Sequence, residues 1–298
     1  MKQNDAFSRC HPLVNFLYFA LVLLGAMLLQ HPVCQAISLL GAVACFCCLG
    51  GERPGGFRLW YALALFLMTA AVNPAFSHEG RTILRYLPSG NPLTLESILY
   101  GLGAGLTLCT ALIWFSDYTR VMTSDKFVYL FGRLIPALSL VLSMTLRFVP
   151  RFSAQARRVA KAQAAVGNDM HTGSLLHRVR CALMVFSILV TWSLENAVDT
   201  ADSMRARGYG LPGRSAFSIF TLTKRDKTLL AVMALLGAVV TAGYALGALS
   251  WRYYPSVKGA GFSPLSTVCY LSYLILNLVP VILEQKEAAV CRRLRSRI

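Results

Sequence analysis

The amino-acid sequence predicts an all-α protein of the polytopic helical membrane class, with about six transmembrane helices and a cytoplasmic domain of long amphipathic helices. Of its 298 residues, 56% are hydrophobic and only 14% are charged, whereas a soluble domain carries about 25% charged residues. Six windows of about 17–22 residues carry few or no charges, and a helix of this length crosses the ~30 Å hydrocarbon layer of a bilayer. The lysines and arginines are, in addition, distributed very unevenly along the chain.

The six apolar windows form two groups, which divide the chain into three regions. Residues 1–115 hold four windows joined by short loops, residues 228–298 hold the other two, and residues 116–227 separate the groups. We expect the first window to be a transmembrane helix and not a cleaved signal peptide, because a second window follows closely and no small-residue cleavage site lies between them. The windows are Leu13–Leu29, Val33–Gly50, Phe57–Phe76, Leu95–Phe115, Thr228–Leu249 and Pro264–Leu283.

The charge distribution predicts the orientation of these helices. The net charge is +16, and with a cytoplasmic N-terminus and six spans only Arg81, Arg85, Arg252 and Lys258 fall in the outer loops. Since the cytoplasmic loops of membrane proteins are enriched in Lys and Arg, this pattern places both termini and the long middle region in the cytoplasm. We expect the basic segment that follows Cys291 to lie against the anionic lipids of the inner leaflet.

The middle region, residues 116–227, mixes apolar and basic residues at helical spacing, and this pattern predicts three helical segments. Pro150 is expected to interrupt the chain between the first two segments, because a proline inside a helix removes a backbone hydrogen bond. Gly208 follows the third segment where a helix commonly ends, and Pro212 reinforces that stop. The third helix would be ~50 Å long. The segments are Phe127–Phe148, with a break near its start at Arg133 and Pro136, then Arg151–Ala165 and Ser174–Arg207.

The sequence argues against several classes of chemistry. Among nine cysteines there is one C-x-x-C match, Cys45 to Cys48, which lies in the second window and has no second pair. We therefore interpret the cysteines as small apolar residues and not as metal ligands. No Gly-Lys-Ser or Gly-Lys-Thr occurs, so the chain lacks the phosphate-binding loop that holds ATP. We expect no metal, no cofactor and no nucleic-acid partner, since no nucleic-acid-binding module is recognised.

An acidic stripe leaves alternative functions open. Glu195, Asp199 and Asp202 lie at i, i+4 and i+7 on one face of the third segment, where they could serve a membrane-embedded enzyme or bind a metal ion. The structural interpretation is ion pairing, since Arg205 follows Asp202 by three residues. A self-sufficient secondary transporter is a further alternative. It would need a charged or broken-helix site at mid-membrane, and the six windows carry almost no charge at their centres.

Several segments resemble the transmembrane T component of energy-coupling factor (ECF) importers. The most specific of them is the triplet Ala206-Arg207-Gly208, which ends a long basic helix after four predicted spans. A related triplet, Ala165-Val166-Gly167, stands 41 positions earlier. The resemblance covers nearly the whole chain, and its specificity comes from the order of the segments. The remaining similar segments are Phe7–Pro12, Leu138–Pro150 and Glu195–Asp202.

The resemblance implies a non-catalytic scaffold subunit of an ATP-driven importer in the cell membrane of a prokaryote. In that family two coupling helices end in Ala-Arg-Gly motifs, and each motif fits a groove on one of two ATP-binding-cassette ATPase subunits. Movement of the helices then tilts a separate substrate-binding membrane subunit. The substrate, a vitamin or a metal ion, stays open because that other subunit selects it.

The two motifs of this chain are not equivalent in sequence. The resemblance implies docking residues Arg205, Ala206, Arg207 and Gly208 at the second end, of which Ala206-Arg207-Gly208 matches the family motif. In the first motif Val166 stands where an arginine is expected. Arg158 or Lys161, one to two helical turns earlier, could supply the missing charge.

Overall fold

The computed structural model describes residues 6–49, 56–77, 79–86, 92–132, 135–169, 172–211 and 220–295. Nine helices and two short antiparallel hairpins occur within these ranges, which confirms the predicted class of helical membrane protein. The hairpins are not predicted from the sequence. The helices are α1 (Pro12–Leu28), α2 (Pro32–Cys48), α3 (Gly56–Phe76), α4 (Leu95–Val121), α5 (Ser124–Gly132), α6 (Pro136–Ala165), α7 (Leu175–Ala206), α8 (Lys224–Ala245) and α9 (Pro264–Arg295). The strands are β1 (Ile83–Tyr86) paired with β2 (Pro92–Thr94), and β3 (Trp251–Arg252) paired with β4 (Lys258–Gly259).

The elements form two compact units. The first unit comprises residues 1–123 and 220–298, with α1–α4, α8 and α9, and the second comprises residues 124–219, with α5–α7. The helices α4, α7, α8 and α9 are long and apolar enough to cross a membrane, whereas α1, α2 and the Tyr61–Phe76 part of α3 are shorter apolar helices. The six predicted windows therefore correspond to α1–α4, α8 and α9, and α7 has comparable length and hydropathy.

Helix α9 packs closely against both α2 and α8 in the first unit. Glycines permit this approach: a Cβ atom on Gly41 of α2 would lie only 2.6 Å from the Cβ of Asn277 on α9, and a Cβ atom on Gly243 of α8 would overlap Cys269 of α9. Small residues at such positions let two helix backbones come close together. Cys269 and Cys45 are buried in this core, where they pack as small apolar side chains.

Two helices of the first unit begin with the same dipeptide, His-Pro. His11 precedes α1 and His31 precedes α2, and both histidines are buried. In each case the imidazole Nδ1 accepts a hydrogen bond from the backbone N–H two residues later, at 3.2 and 3.3 Å respectively. Proline at the first helical position has no N–H to satisfy, and the histidine satisfies the next one.

In the second unit α6 is uninterrupted, so the break expected at Pro150 is wrong. The ring of Trp192 on α7 contacts the rings of Phe148 and Phe152 at centroid distances of 6.3 and 6.2 Å. These two contacts lie on either side of Pro150. A proline inside a helix costs about 3 kcal/mol, and the contacts of Trp192 with residues on both sides of Pro150 offset part of that cost.

Some predicted boundaries are confirmed, and some lie outside the described residues. The break near Pro136 is confirmed, because α6 begins there. Arg133, Pro212 and the chain beyond Arg295 are outside the described residues. The basic segment after Cys291 continues α9 as helix as far as Arg295, so the last predicted span is longer than its apolar window.

Candidate functional site

The end of α7 carries the first group of candidate docking residues. Ala206 is the last helical residue, Arg207 is the C-cap, and Gly208 follows with φ +78°. The N–H of Gly208 donates to the carbonyl of Arg205, and the N–H of Tyr209 donates to the carbonyl of Met204, both at 3.0 Å. This pair of bonds is the Schellman motif, which satisfies carbonyls that the helix would otherwise leave unpaired. The left-handed φ explains the glycine, since other residues are strained there.

The two arginines at this helix end are available to a partner. Arg205, Ala206 and Arg207 are all exposed. Neither guanidinium forms a hydrogen bond or ion pair with the residues that the structure describes. The negative end of the helix macrodipole favours cations at this position. The end of α7 is therefore a rigid, positively charged tip whose polar groups can be used in binding.

The end of α6 adopts the same geometry around Ala165, Val166 and Gly167. Val166 is the C-cap, and Gly167 has φ +94°. The N–H of Gly167 donates to the carbonyl of Ala164 at 3.1 Å, and the N–H of Asn168 donates to the carbonyl of Gln163 at 2.9 Å. The two triplets that resemble each other in sequence thus form the same Schellman motif, with the central residue at the C-cap in both.

The two ends differ in the side chain at the C-cap and in the nearby charge. Val166 is 78% exposed, and the nearest basic residues on α6, Lys161 and Arg158, are also exposed. Five and eight residues separate them from Val166, which corresponds to ~7 and ~12 Å along the helix axis. The positive charge on α6 is therefore set back from the tip, whereas Arg207 places it at the tip of α7.

Helices α6 and α7 run antiparallel, so the two ends point away from each other. Trp192 lies beside Phe148 and Phe152, and the side-chain amide of Asn168 lies 3.6 Å from the Sδ of Met184. The end of α6 is therefore level with the Met184 region of α7. The 23 residues from Met184 to Arg207 span ~35 Å, a separation that allows each end to contact a different protein.

The acidic stripe consists of side chains that project from α7 into its surroundings. Glu195, Asp199 and Asp202 are exposed, and within the described ranges Asp202 forms no ion pair with Arg205. No group of three or more His, Cys, Asp or Glu side chains comes together in the part of the chain that the structure describes. The stripe therefore has the expected helical spacing but does not converge with other ligands or with a base.

A buried acidic residue that sequence reasoning missed holds the N-terminal segment in place. Asp226 is buried at the start of α8, where its carboxylate accepts bonds from the N–H and hydroxyl of Thr223 at 3.0 and 2.7 Å and from the N–H of His11 at 3.3 Å. The N–H of Ala6 donates to Glu284 on α9 at 2.8 Å. The Thr-x-x-Asp spacing before an apolar run is a capping-box signal that could have revealed Asp226. These bonds join the N-terminal segment to α8 and α9.

Comparisons with known proteins give a consistent result. The model of one protein family, described as the cobalt transport protein CbiQ, matches residues 7–219. The chain is also similar to energy-coupling factor transporter transmembrane proteins EcfT: it is 34% identical over 111 residues to the protein of Bacillus selenitireducens and 33% identical over 103 residues to that of Lactobacillus helveticus. A third such protein, from Streptococcus thermophilus, is 31% identical over 134 residues.

These pairwise similarities cover only part of each chain. They span 37%, 34% and 44% of this protein and 41%, 37% and 49% of the respective relatives. The chain thus spans less than half of the length of the curated relatives that it matches. The family match begins at the buried Phe7 and includes α1–α7, whereas α8 and α9 lie beyond it.

Proposed function

The chain belongs to the CbiQ cobalt transport protein family, as a transmembrane T component of ECF transporters, and we propose that it couples ATPase subunits to a substrate-binding membrane subunit. In this proposal two ATP-binding-cassette ATPases dock on the ends of α6 and α7. A separate membrane subunit binds the substrate, which is a vitamin or a metal ion. The T component itself catalyses no reaction.

The observation that carries this proposal is the matched pair of helix ends. Two triplets 41 residues apart form the same rigid Schellman motif at opposite ends of one antiparallel hairpin. Arg207 is suited to docking and not to acid–base chemistry, because a guanidinium keeps its proton at working pH. Two rigid ends ~35 Å apart along α7 suit two ATPase subunits that move relative to each other.

Transmission of the movement requires a stiff connection between the two ends. The contacts of Trp192 with Phe148 and Phe152, and of Asn168 with Met184, join the two helices in the middle of α6 and just beyond its end. When the ATPases close on ATP, their movement is passed to the two ends and tilts the α6–α7 pair as one body. The exposed apolar side chains of α7, such as Leu183, Phe186 and Leu194, provide a surface for the substrate-binding subunit.

The proposal includes an orientation. Residues 116–227 form the cytoplasmic coupling domain, and both termini face the cytoplasm, because that arrangement leaves few basic residues in the outer loops. The first unit then provides the multi-pass anchor in the cell membrane.

Co-purification with the ATPase subunits of the same organism tests the proposal. We expect the tagged protein to retain two ATPase chains in detergent and the Arg207→Glu variant to lose at least one. A buried partner acceptor that loses its cation, and meets a like charge instead, costs ~2–5 kcal/mol. Arg157→Glu, at an exposed position in the middle of α6, is the matched charge reversal and should retain both. Absence of any ATPase from the wild-type preparation would refute the proposal.

A further inference from the structure

An apolar pocket of about 300 Å³ lies in the first unit between α2, α3, α4 and the β3–β4 hairpin. This volume is in the range of pockets that bind small molecules. The pocket opens at the surface of α4, where Leu99 and Leu102 are 38% and 41% exposed. Its main walls are the side chains of Phe66, Leu99, Leu102, Leu106, Trp251 and Tyr253.

The pocket runs from one end of the helices to their middle. Leu99 lies in the first turns of α4, and Leu106 lies seven residues further along the helix, which corresponds to ~10 Å. Phe66 is the central residue of α3. Trp251 and Tyr253 line the other end, and such side chains are enriched where a membrane meets water. The pocket is therefore directed along the helices, as the chains of the surrounding lipids are.

The hairpin end of the pocket offers a hydrogen-bond donor. The Trp251 ring lies against Gly259, where a Cβ atom would overlap it, and contacts the His31 ring at a centroid distance of 5.0 Å. Its indole Nε1 is buried, and within the described ranges no hydrogen-bond acceptor reaches it. Because a buried donor without an acceptor is costly, this N–H is suited to a ligand that carries a carbonyl group.

Two cations lie next to the pocket on the other face of the hairpin. Arg252 and Lys258 are directly opposite each other in the β3–β4 register, and both are exposed. Neither forms an ion pair with any residue that the structure describes. Like charges opposite each other in an antiparallel pair are destabilising. An anion that contacts both side chains would remove this repulsion.

We propose that the pocket binds an acyl chain of an anionic phospholipid, with the lipid phosphate against Arg252 and Lys258. The apolar walls, the free N–H of Trp251 and the cation pair follow each other in the order in which a phospholipid carries its chain, ester carbonyl and phosphate. A free phosphate ion would use only the cation pair and leave the apolar walls without a ligand. This lipid site is a function additional to the coupling of ATPases to transport.

The acyl-chain part of the proposal is tested by filling the pocket. Delipidated full-length protein in detergent is titrated with dioleoylphosphatidylglycerol, with the zwitterionic dioleoylphosphatidylcholine and with inorganic phosphate, and bound lipid is counted by native mass spectrometry. Leu102→Trp places an indole at the pocket wall. Leu112→Trp is the matched control, because Leu112 is 43% exposed on the same helix and does not line the pocket.

We expect wild type and Leu112→Trp to bind one phosphatidylglycerol molecule per chain. Leu102→Trp should bind both phospholipids about tenfold or more weakly, because the indole takes the space of the acyl chain. Unchanged phosphatidylglycerol binding in Leu102→Trp would overturn the proposal. Competition by inorganic phosphate at equal affinity would identify a free phosphate as the ligand, and would overturn it as well.

The headgroup part is tested by removing the two cations. Wild type should prefer phosphatidylglycerol to phosphatidylcholine, and Arg252→Gln/Lys258→Gln should lose about 5- to 30-fold of that preference. The control Lys224→Gln/Lys227→Gln, which removes two exposed cations at the start of α8, should keep it. Equal binding of the two phospholipids by wild type would overturn the proposal. Loss of the lipid on co-purification with the substrate-binding subunit would assign the pocket to that subunit instead, and the coupling function stands in each case.

Discussion

Replacement of Gly208 by alanine tests whether the candidate docking end of α7 depends on its backbone geometry. Gly208 has φ +78°, a left-handed conformation that costs a residue with a Cβ atom ~1–2 kcal/mol. The new Cβ atom would also lie 3.2 Å from Leu211 Cδ1, a side chain that is exposed and can move aside. Backbone strain therefore dominates, and a cost of ~1–2 kcal/mol shifts the opening equilibrium of the last turn by about 5- to 30-fold.

Hydrogen–deuterium exchange of the peptide over residues 203–211 measures this opening directly. The amides of Gly208 and Tyr209 are the donors of the two Schellman bonds, so they should exchange faster in Gly208→Ala by that factor. Gly208→Asn is the control, because asparagine tolerates left-handed φ values better than alanine. Gly167→Ala on α6 should behave like Gly208→Ala, since its Cβ atom would meet nothing within 4 Å and only the φ of +94° matters. Unchanged exchange in both alanine variants would show that the left-handed glycines do not determine the stability of these helix ends.

Two further predictions concern the first unit. Gly41→Ala should destabilise the protein by ~1–3 kcal/mol through overpacking, because the new Cβ atom would lie 2.6 Å from the Cβ of Asn277. Gly237→Ala is the control, since its Cβ atom would meet its nearest neighbour at 3.5 Å. Equal thermal-unfolding midpoints for the two variants would contradict this prediction. Burial lowers the pKa of His11 below 6.5, and its Nδ1 accepts the bond from Leu13 N–H, so the native state favours the neutral ring. That contribution to stability is present above pH 6.5 and is lost as the pH falls below it. The His11→Asn variant keeps a capping side chain but does not titrate. Its melting temperature should therefore fall less between pH 7.5 and pH 5.5 than that of the wild type.

The sequence predicted the apolar helices and the positions of the two helix ends at Val166 and Arg207, because both are governed by local rules. Apolar windows of membrane length mark the spans, and glycine after a basic helix marks a stop, so the end of α7 at Gly208 could be placed to the residue. The equivalence of Val166 and Arg207 followed from the repeated triplet, and the shared Schellman bonds give that equivalence a physical basis.

The errors arose where tertiary contacts decide the outcome. Pro150 carries a local signal for a break, but α6 continues through it, and Trp192 contacts Phe148 and Phe152 on either side of the proline. The burial of Asp226 depends on the distant His11 backbone, which no local pattern encodes. The close packing of Gly41 on α9 likewise joins residues 236 positions apart.

Photo-crosslinking identifies the proteins that touch the two helix ends. A photoreactive amino acid is placed at Val166, at Arg207 and, as a control, at Val198, in protein produced together with the ATPases and the membrane subunits of the same organism. We expect adducts with ATPase chains from both helix ends and none from Val198. Adducts from neither helix end with any ATPase, in a preparation that still transports substrate, would show that the ATPases do not dock on these ends.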